Sequence, residues 1–253
     1  MAVYKLFPIK DNSLYSFYPN MNSGLDEINQ ISNLNQGVGT SPQVARIITE
    51  FSQEEIEDTL NNIISGSQWT VNFKQFIATA QGIVESIFIE VHPVASYWWN
   101  GSGKYLDVPQ STDGSGWVSP AFASSPLRWP MSGSDAVGHR ITGSFNSLFS
   151  PLGGGSWYVT GSNNMGWSST QSFDTRSDKD LDVEVKTVVE KWYSSSIAYP
   201  STASLPNYGF LTKFENQAEF NQNPQIQPVM QFYSVDTNTI YPPQLEFKWD
   251  DYE

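Results

Sequence analysis

The last third of the chain carries the clearest periodicity. From Leu181 the residues run apolar, polar, apolar, polar, apolar through Val185, the period of two that turns one face of a strand inward. Val185, Val188, Val189 and Trp192 then fall at i, i+3, i+4 and i+7, which predicts a short helix after the 181–184 strand. Three more strands are expected: 207–214, entered by a Tyr208-Gly209 turn; 229–235; and a terminal one within 240–249, beside Pro242 and Pro243.

The first third alternates in the same way. Residues 3–18 predict two short strands with Asp11-Asn12-Ser13 as the turn between them, and the Asn-rich run 18–24 predicts a loop closed by Gly24. Residues 26–34 and 44–51 read as further strands, with Arg46 and Glu50 the polar members of the second. One helix is marked over 52–65. Ser52 as N-cap and Glu55 three residues on make a capping box, and Ile56, Leu60, Ile63 and Ile64 form one apolar stripe. Glu54, Glu55, Glu57 and Asp58 crowd the first turns, where the helix dipole favours anions. Leu60 and Ile63 are the expected anchors of this helix. Residues 70–80 and 84–91 follow as long strands.

Between Tyr97 and Asn164 the periodicity gives out into Gly, Ser, Pro and Trp. A structureless stretch this long is uncommon inside a compact domain unless it has a function or is held by partners. We read it as elaborated loops pinned by Trp98, Trp99, Trp117, Trp129 and Trp157. The pattern as a whole predicts an all-β protein: a jelly-roll-like antiparallel β-sandwich with long Gly/Ser/Trp-rich loops and one or two short helices. No internal repeat or linker-like composition shift divides the chain, so residues 1–253 are expected to form one domain.

Composition sharpens this picture. Aromatic residues make up 14% of the chain, which favours a packed β protein over a disordered one. The formal net charge of −13 would repel nucleic acid and suits a solvent-facing location or a basic partner. There is no cysteine, so disulfides, thiolate catalysis and Cys-based zinc sites are excluded. The N-terminus lacks the apolar core of a signal peptide, and no run approaches the length of a membrane span. Folding in a reducing cytoplasm is the expectation.

Candidate chemistry is sparse. His92 and His139 are the only histidines, and no Gly-x-Ser-x-Gly elbow, zinc-binding His-Glu-x-x-His, Walker loop or Rossmann fingerprint is present, so no catalytic residue is assigned. Glu85, Glu90, Asp107 and Asp113 are acids of the type glycosidases pair, but sequence does not set them opposite one another. Asp178, Asp180 and Asp182 alternate as oxygen ligands for Ca²⁺ sometimes do. The turn glycine and closing glutamate of an EF-hand are missing, and Arg176 and Lys179 sit among the carboxylates. A solvated loop with no cofactor is therefore the main reading, and a Ca²⁺ site the alternative. The loop aromatics have two readings. Trp98, Trp99, Tyr105, Trp117, Trp157 and Tyr158, with Tyr97 and Trp167, would stack on sugar rings if exposed, or serve as core or interface anchors.

The run from Leu181 to Val185, Val188-Val189-Glu190-Lys191-Trp192 and Asn207-Tyr208-Gly209-Phe210-Leu211 together resemble the end of the DNRLRE-type β-sandwich family. In that family an Asp-Val-Thr strand leads to a Val-x-x-Trp helix and an Asn-x-Gly-Phe strand. Lys10-Asp11-Asn12-Ser13-Leu14 looks like its opening strand, and Trp98-Trp99 before Gly101 and Gly103 looks like its central loop. The chain is more similar still to structural proteins of marine tailed phages that use this domain. That likeness is carried by residues 18–28, Gly103 to Asp107, Thr112-Asp113-Gly114 with Trp117, Gly153 to Tyr158, and Ser234 to Pro243. It implies a non-enzymatic virion component (neck, tail baseplate or capsid surface) made in the host cytoplasm. It also implies several copies or a homo-oligomer, and other virion proteins as partners. A carbohydrate-binding module or receptor-binding tail component, with a glycan as ligand, is the alternative. Neither nucleic acid nor membrane is an expected partner.

Overall fold

The computed structural model describes residues 1–34, 43–66, 68–83, 86–134, 139–143, 152–160, 167–174, 180–197, 205–223 and 225–250. The chain builds an antiparallel β-sandwich. A four-stranded sheet has the order β1-β15-β5-β12, formed by Ala2–Leu6, Gln244–Trp249, Trp69–Gln75 and Leu181–Glu184. The N-terminal strand β1 thus pairs with the last strand, β15. The larger sheet has eight strands. Its main path runs through β11 (Ser169–Phe173), β7 (Ile87–Pro93), β13 (Phe210–Phe214), β4 (Gln43–Phe51), β3 (Ile28–Leu34), β14 (Val229–Tyr233) and β6 (Ile77–Gln81), and β2 (Pro8–Tyr15) pairs with β4 off that path.

Residues 70–80 are therefore two strands in different sheets. The break at Phe76 carries the chain from one layer to the other. The turn expected at Asp11-Asn12-Ser13 is not there. The first strand ends at Leu6 and β2 begins at Pro8, so these three polar residues sit mid-strand and buried. Turn-forming residues can occupy a strand interior when each side chain finds a partner. Here the Val235 N–H donates to Asp11, Asn12 donates to Ser115, and Ser13 donates to Asn29.

The main core lies between the two sheets. Phe73, Val71, Leu245 and Phe247 come from the small sheet, and Ile47, Phe51, Ile89, Val91, Phe210 and Phe214 from the large one. The helices plug this core. α1 (Gln53–Asp58) starts at Ser52, whose Oγ accepts the Glu55 N–H at 3.3 Å, and gives way to a π-helical turn over Thr59–Ile63. The helix is thus shorter than its stripe suggests. Of the apolar stripe, Ile56 is fully buried, while Leu60 and Ile63 pack at the margin. α2 (Lys186–Ile197) buries Val188, Val189 and Trp192, with Trp192 tilted 4.7 Å from Phe210. A third helix, α3 (Asn216–Glu219), is one turn long. No helix among the described residues is long and apolar enough to cross a membrane.

The outer face of the small sheet is held by charge. Glu246 on β15 meets Lys248 at 2.8 Å, Lys74 at 2.7 Å and Lys5 at 3.5 Å, and Lys74 also reaches Asp182 on β12 at 3.2 Å. Burial opposes ionisation of Glu246, but the lysine hydrogen bonds and charges win and hold its pKa at about 2.

Replacing Ile56 by Ala should cost about 2–5 kcal/mol of unfolding free energy, the range for a fully buried aliphatic residue, whereas Leu60→Ala should cost clearly less. Urea unfolding of the two variants tests this order. Equal losses would mean that the π-helical turn is as deeply seated as α1.

Candidate functional site

The central strands of the large sheet, β2, β4 and β13, are buried on both faces, and their second face carries the aromatic loops. Along β4 the even positions Val44, Arg46 and Ile48 point away from the main core. Leu14 on β2, Leu211 on β13 and Val94 beyond β7 join them. The loops cover this face with Trp98, Trp117, Trp129 and Trp157, all buried. Part of the region expected to be irregular is itself a small sheet of order β10-β9-β8, from Ser156–Thr160, His139–Gly143 and Ser132–Ser134. Its β10 reaches the large sheet through a bridge between Trp157 and Val94.

Trp98, Trp117 and Trp157 therefore present no free ring to a sugar or a partner. They are core residues of the loop layer. The Trp98 indole N–H donates to the Tyr208 carbonyl at 3.0 Å, and the Trp129 N–H to Gly116 at 2.9 Å. Tyr158 is half-buried against the main core, as is Trp167. Tyr105 packs tilted against Tyr15 and edge-on to Tyr18. Of the predicted set, Trp99 is the one that faces solvent, at 48% exposure, beside Phe122 at 5.8 Å; the neighbouring Tyr97 is exposed too.

The loops are tied down by asparagines. Asn22 donates to the carbonyls of Asn100 and Ser115 and accepts from the Gly103 N–H at 2.9 Å. Asn12 donates to Ser115 and accepts from Ser23, and Asn100 donates to Gly24. The fit excludes a side chain at Gly101, which has φ +78° and whose Cβ would lie 2.3 Å from the Asn22 Oδ1. Asp113 accepts from Ser102 and Ser111, and Asp107 from the Lys104 N–H, so both acids cap loops.

Between the large sheet and the loops lies a buried cluster of charge. Arg46 grips Glu219 of α3 with two parallel hydrogen bonds of 2.7 and 2.8 Å and donates its third arm to the Gly154 carbonyl at 2.8 Å. Its guanidinium also lies 5.1 Å from the Trp117 ring and 5.4 Å from that of Trp157. Gly154 has φ +87°, and a Cβ there would meet Trp117 and Arg46 at 2.6 and 2.7 Å. Lys213 bridges Glu219 at 3.5 Å and Glu90 at 3.2 Å. Two cations thus face two carboxylates. His92 completes the cluster, its Nε2 3.2 Å from Glu90 and its ring 5.4 Å from Trp157. Burial pushes the His92 pKa down, against the hydrogen bond and charge of Glu90, which favour the charged ring. Burial opposes ionisation of Glu90, but His92 and Lys213 hold its pKa well below the usual carboxylate range.

This cluster was not legible in the sequence. Arg46, Glu90, His92, Lys213 and Glu219 lie on four separate elements, and the one local signal is an arginine between apolar neighbours in a strand. The aspartates proposed as metal ligands have other work. Asp180 accepts the Ile77 N–H at 2.9 Å, Asp182 accepts from Asn72 and pairs with Lys74, and Asp178 lies outside the described residues. Glu85 and the side chain of His139 lie outside them as well. Among the described residues no group of three or more His, Cys, Asp or Glu is placed to hold a metal ion.

No known protein family matches this chain, and no curated protein matches it either.

Two measurements follow from these buried charges. Glu219→Gln removes one partner of a fully buried pair and should cost about 3–5 kcal/mol, because it strands the Arg46 charge. A loss below about 1 kcal/mol would show that water reaches the pair. The second concerns Asp11, whose carboxyl is pushed up to about 7 by burial, against hydrogen bonds from Asn29 and the Val235 N–H. The folded chain holds this proton more tightly than the unfolded chain does. Its stabilising contribution is therefore full below the ordinary value of 3.8 and is lost as pH rises through about 7. Relative to Asp11→Asn, the wild type should lose on the order of 3 kcal/mol between about pH 4 and about pH 8. A difference that stays flat across that range would mean an ordinary aspartate.

Proposed function

We propose that this chain is a structural component of a tailed-phage particle, acting by protein contacts made through its loop layer. The observation that carries the reading is what that layer leaves outside. Its tryptophans and asparagines hold the loops from within, and the loops then display Trp99 at 48%, Leu106 at 85% and Val108 at 95% exposure. Apolar side chains held on a rigid frame gain on association what they lose to water in the free chain, on the order of 1.5–3 kcal/mol each when fully buried. A frame already ordered gives up little conformational freedom on binding. The acidic remainder of the chain favours solubility until assembly. The resemblance of residues 18–28, 103–107 and 234–243 to marine tailed-phage structural proteins supports a place in the virion, in several copies, with other virion proteins as partners.

The test is the triple variant Trp99→Ala, Leu106→Ser, Val108→Ser. All three side chains are exposed, so circular dichroism should report an unchanged fold. Incorporation into particles assembled with the partner proteins should fall about tenfold or more, as for the loss of hot-spot residues. A folded variant that assembles normally overturns the reading. If that variant also loses binding to a polysaccharide that the wild type retains on a glycan array, the loops belong to a carbohydrate-binding protein instead.

A further inference from the structure

We propose that the free edge of β1 docks an extended basic segment of a partner protein, which joins the small sheet as a fifth strand. The site is separate from the loop layer and does not rest on the role proposed for it. β1 is outermost in the order β1-β15-β5-β12, and among the described residues it pairs with β15 alone, over Ala2–Leu6. In an antiparallel pair every second residue exchanges its hydrogen bonds with the partner strand, and those between point theirs the other way. An edge of this kind is a template for another strand unless something blocks it. The usual defences are thin here. Lys5 is the one charge on the strand, it already pairs with Glu246 at 3.5 Å, and Val3 and Tyr4 are exposed.

What lies beside the edge selects the occupant. A groove of about 660 Å³ runs between β1 and α1. Tyr4 and Leu6 line its strand side; Glu54, Glu55, Glu57 and Asp58 line its helix side. Gln53 and Asn62 give neutral hydrogen bonds to Glu57 and Asp58, and among the described residues no lysine or arginine pairs with any of the four carboxylates. These four are more than the helix dipole needs, and they repel one another across one short surface. A strand added to β1 turns every second side chain toward α1. Lys or Arg at those positions would neutralise the carboxylates, with their stems over Tyr4, where a cation also gains from the ring face. A second copy of this chain fits poorly. Pairing β1 with β1 would bring two acidic helices to one seam, on a chain whose net charge is already −13. The predicted ligand is therefore a strand-forming segment with basic residues at alternate positions.

The purified chain can be titrated with a synthetic eight-residue peptide alternating Lys and Thr, and with its Glu-Thr counterpart, following hydrogen exchange of the β1 amides. The Lys-Thr peptide should bind and protect amides of Ala2–Leu6, and its affinity should fall as salt rises. The Glu-Thr peptide should not bind. Glu54→Gln combined with Asp58→Asn, two exposed positions, should weaken binding about fivefold or more while leaving the fold unchanged. No binding of the Lys-Thr peptide overturns the proposal. Binding that leaves the β1 amides unprotected overturns it as well, since it would be charge attraction without strand addition, and so does binding that the double variant does not weaken. None of these outcomes bears on Trp99, Leu106 and Val108, so the two proposals stand or fall apart.

Discussion

A sheet buried on both faces must satisfy every polar group it sends into its second core, and Arg46 is where that demand is greatest. Its strand lies at the centre of the large sheet, with one face given to Ile47 and Phe51 and the main core. On the other face a guanidinium with 0% exposure needs a counter-charge, hydrogen-bond acceptors and a lid. Glu219 supplies the first, the Gly154 carbonyl an acceptor, and the Trp117 and Trp157 rings the lid. They arrive from three parts of the chain: Glu219, the segment holding Gly154 and Trp157, and Trp117. One arginine thereby fixes where α3, the Gly153-Gly154-Gly155 turn and two loop tryptophans must come to rest.

The same logic explains why the loop layer can be ordered with so little regular structure. Its stability rests on large buried rings and on side-chain amides that act as surrogate backbone partners, as Asn22 does for Asn100, Ser115 and Gly103. An amide held at three or four points closes a long loop about as effectively as a short strand pair would, provided nothing bulky intrudes at glycines such as Gly101. The buried charges then act as specificity devices. Arg46 and Lys213 share Glu219, so a displaced α3 would leave the Arg46 charge stranded in the core.

Such a scaffold divides its surface by role. Aromatic residues that look like ligand platforms in the sequence are spent on the interior, and the residues left for contact are the lesser ones of each loop: Trp99 rather than Trp98, and Leu106 and Val108 beside Tyr105. At the opposite extreme of chemistry, the edge of β1 offers backbone hydrogen bonds and a wall of carboxylates. An apolar display on the loops and a charged strand edge differ in the partner chemistry each would suit.

The sequence by itself determined the elements whose signal is local. The alternation at Leu181–Glu184, the apolar stripe that buries Val188, Val189 and Trp192, and the capping of α1 by Ser52 depend on neighbours within a few residues, and each is where the pattern puts it. The sandwich follows from many such strands. What the tertiary structure alone decided are the matters in which one residue type has two uses. Asp11-Asn12-Ser13 has turn chemistry, yet it lies mid-strand because Asn29, Ser115 and Val235, 16, 103 and 224 positions along the chain, satisfy it. Residues 70–80 read as one strand, yet they break at Phe76 because the chain must cross between sheets. Trp98 and Trp99 are adjacent and chemically identical, yet one is sealed in the core beneath the loops and the other faces solvent. A local pattern records the period of burial. Which partner covers which face is set by contacts between residues far beyond the span of a local pattern, and no local pattern carries that information.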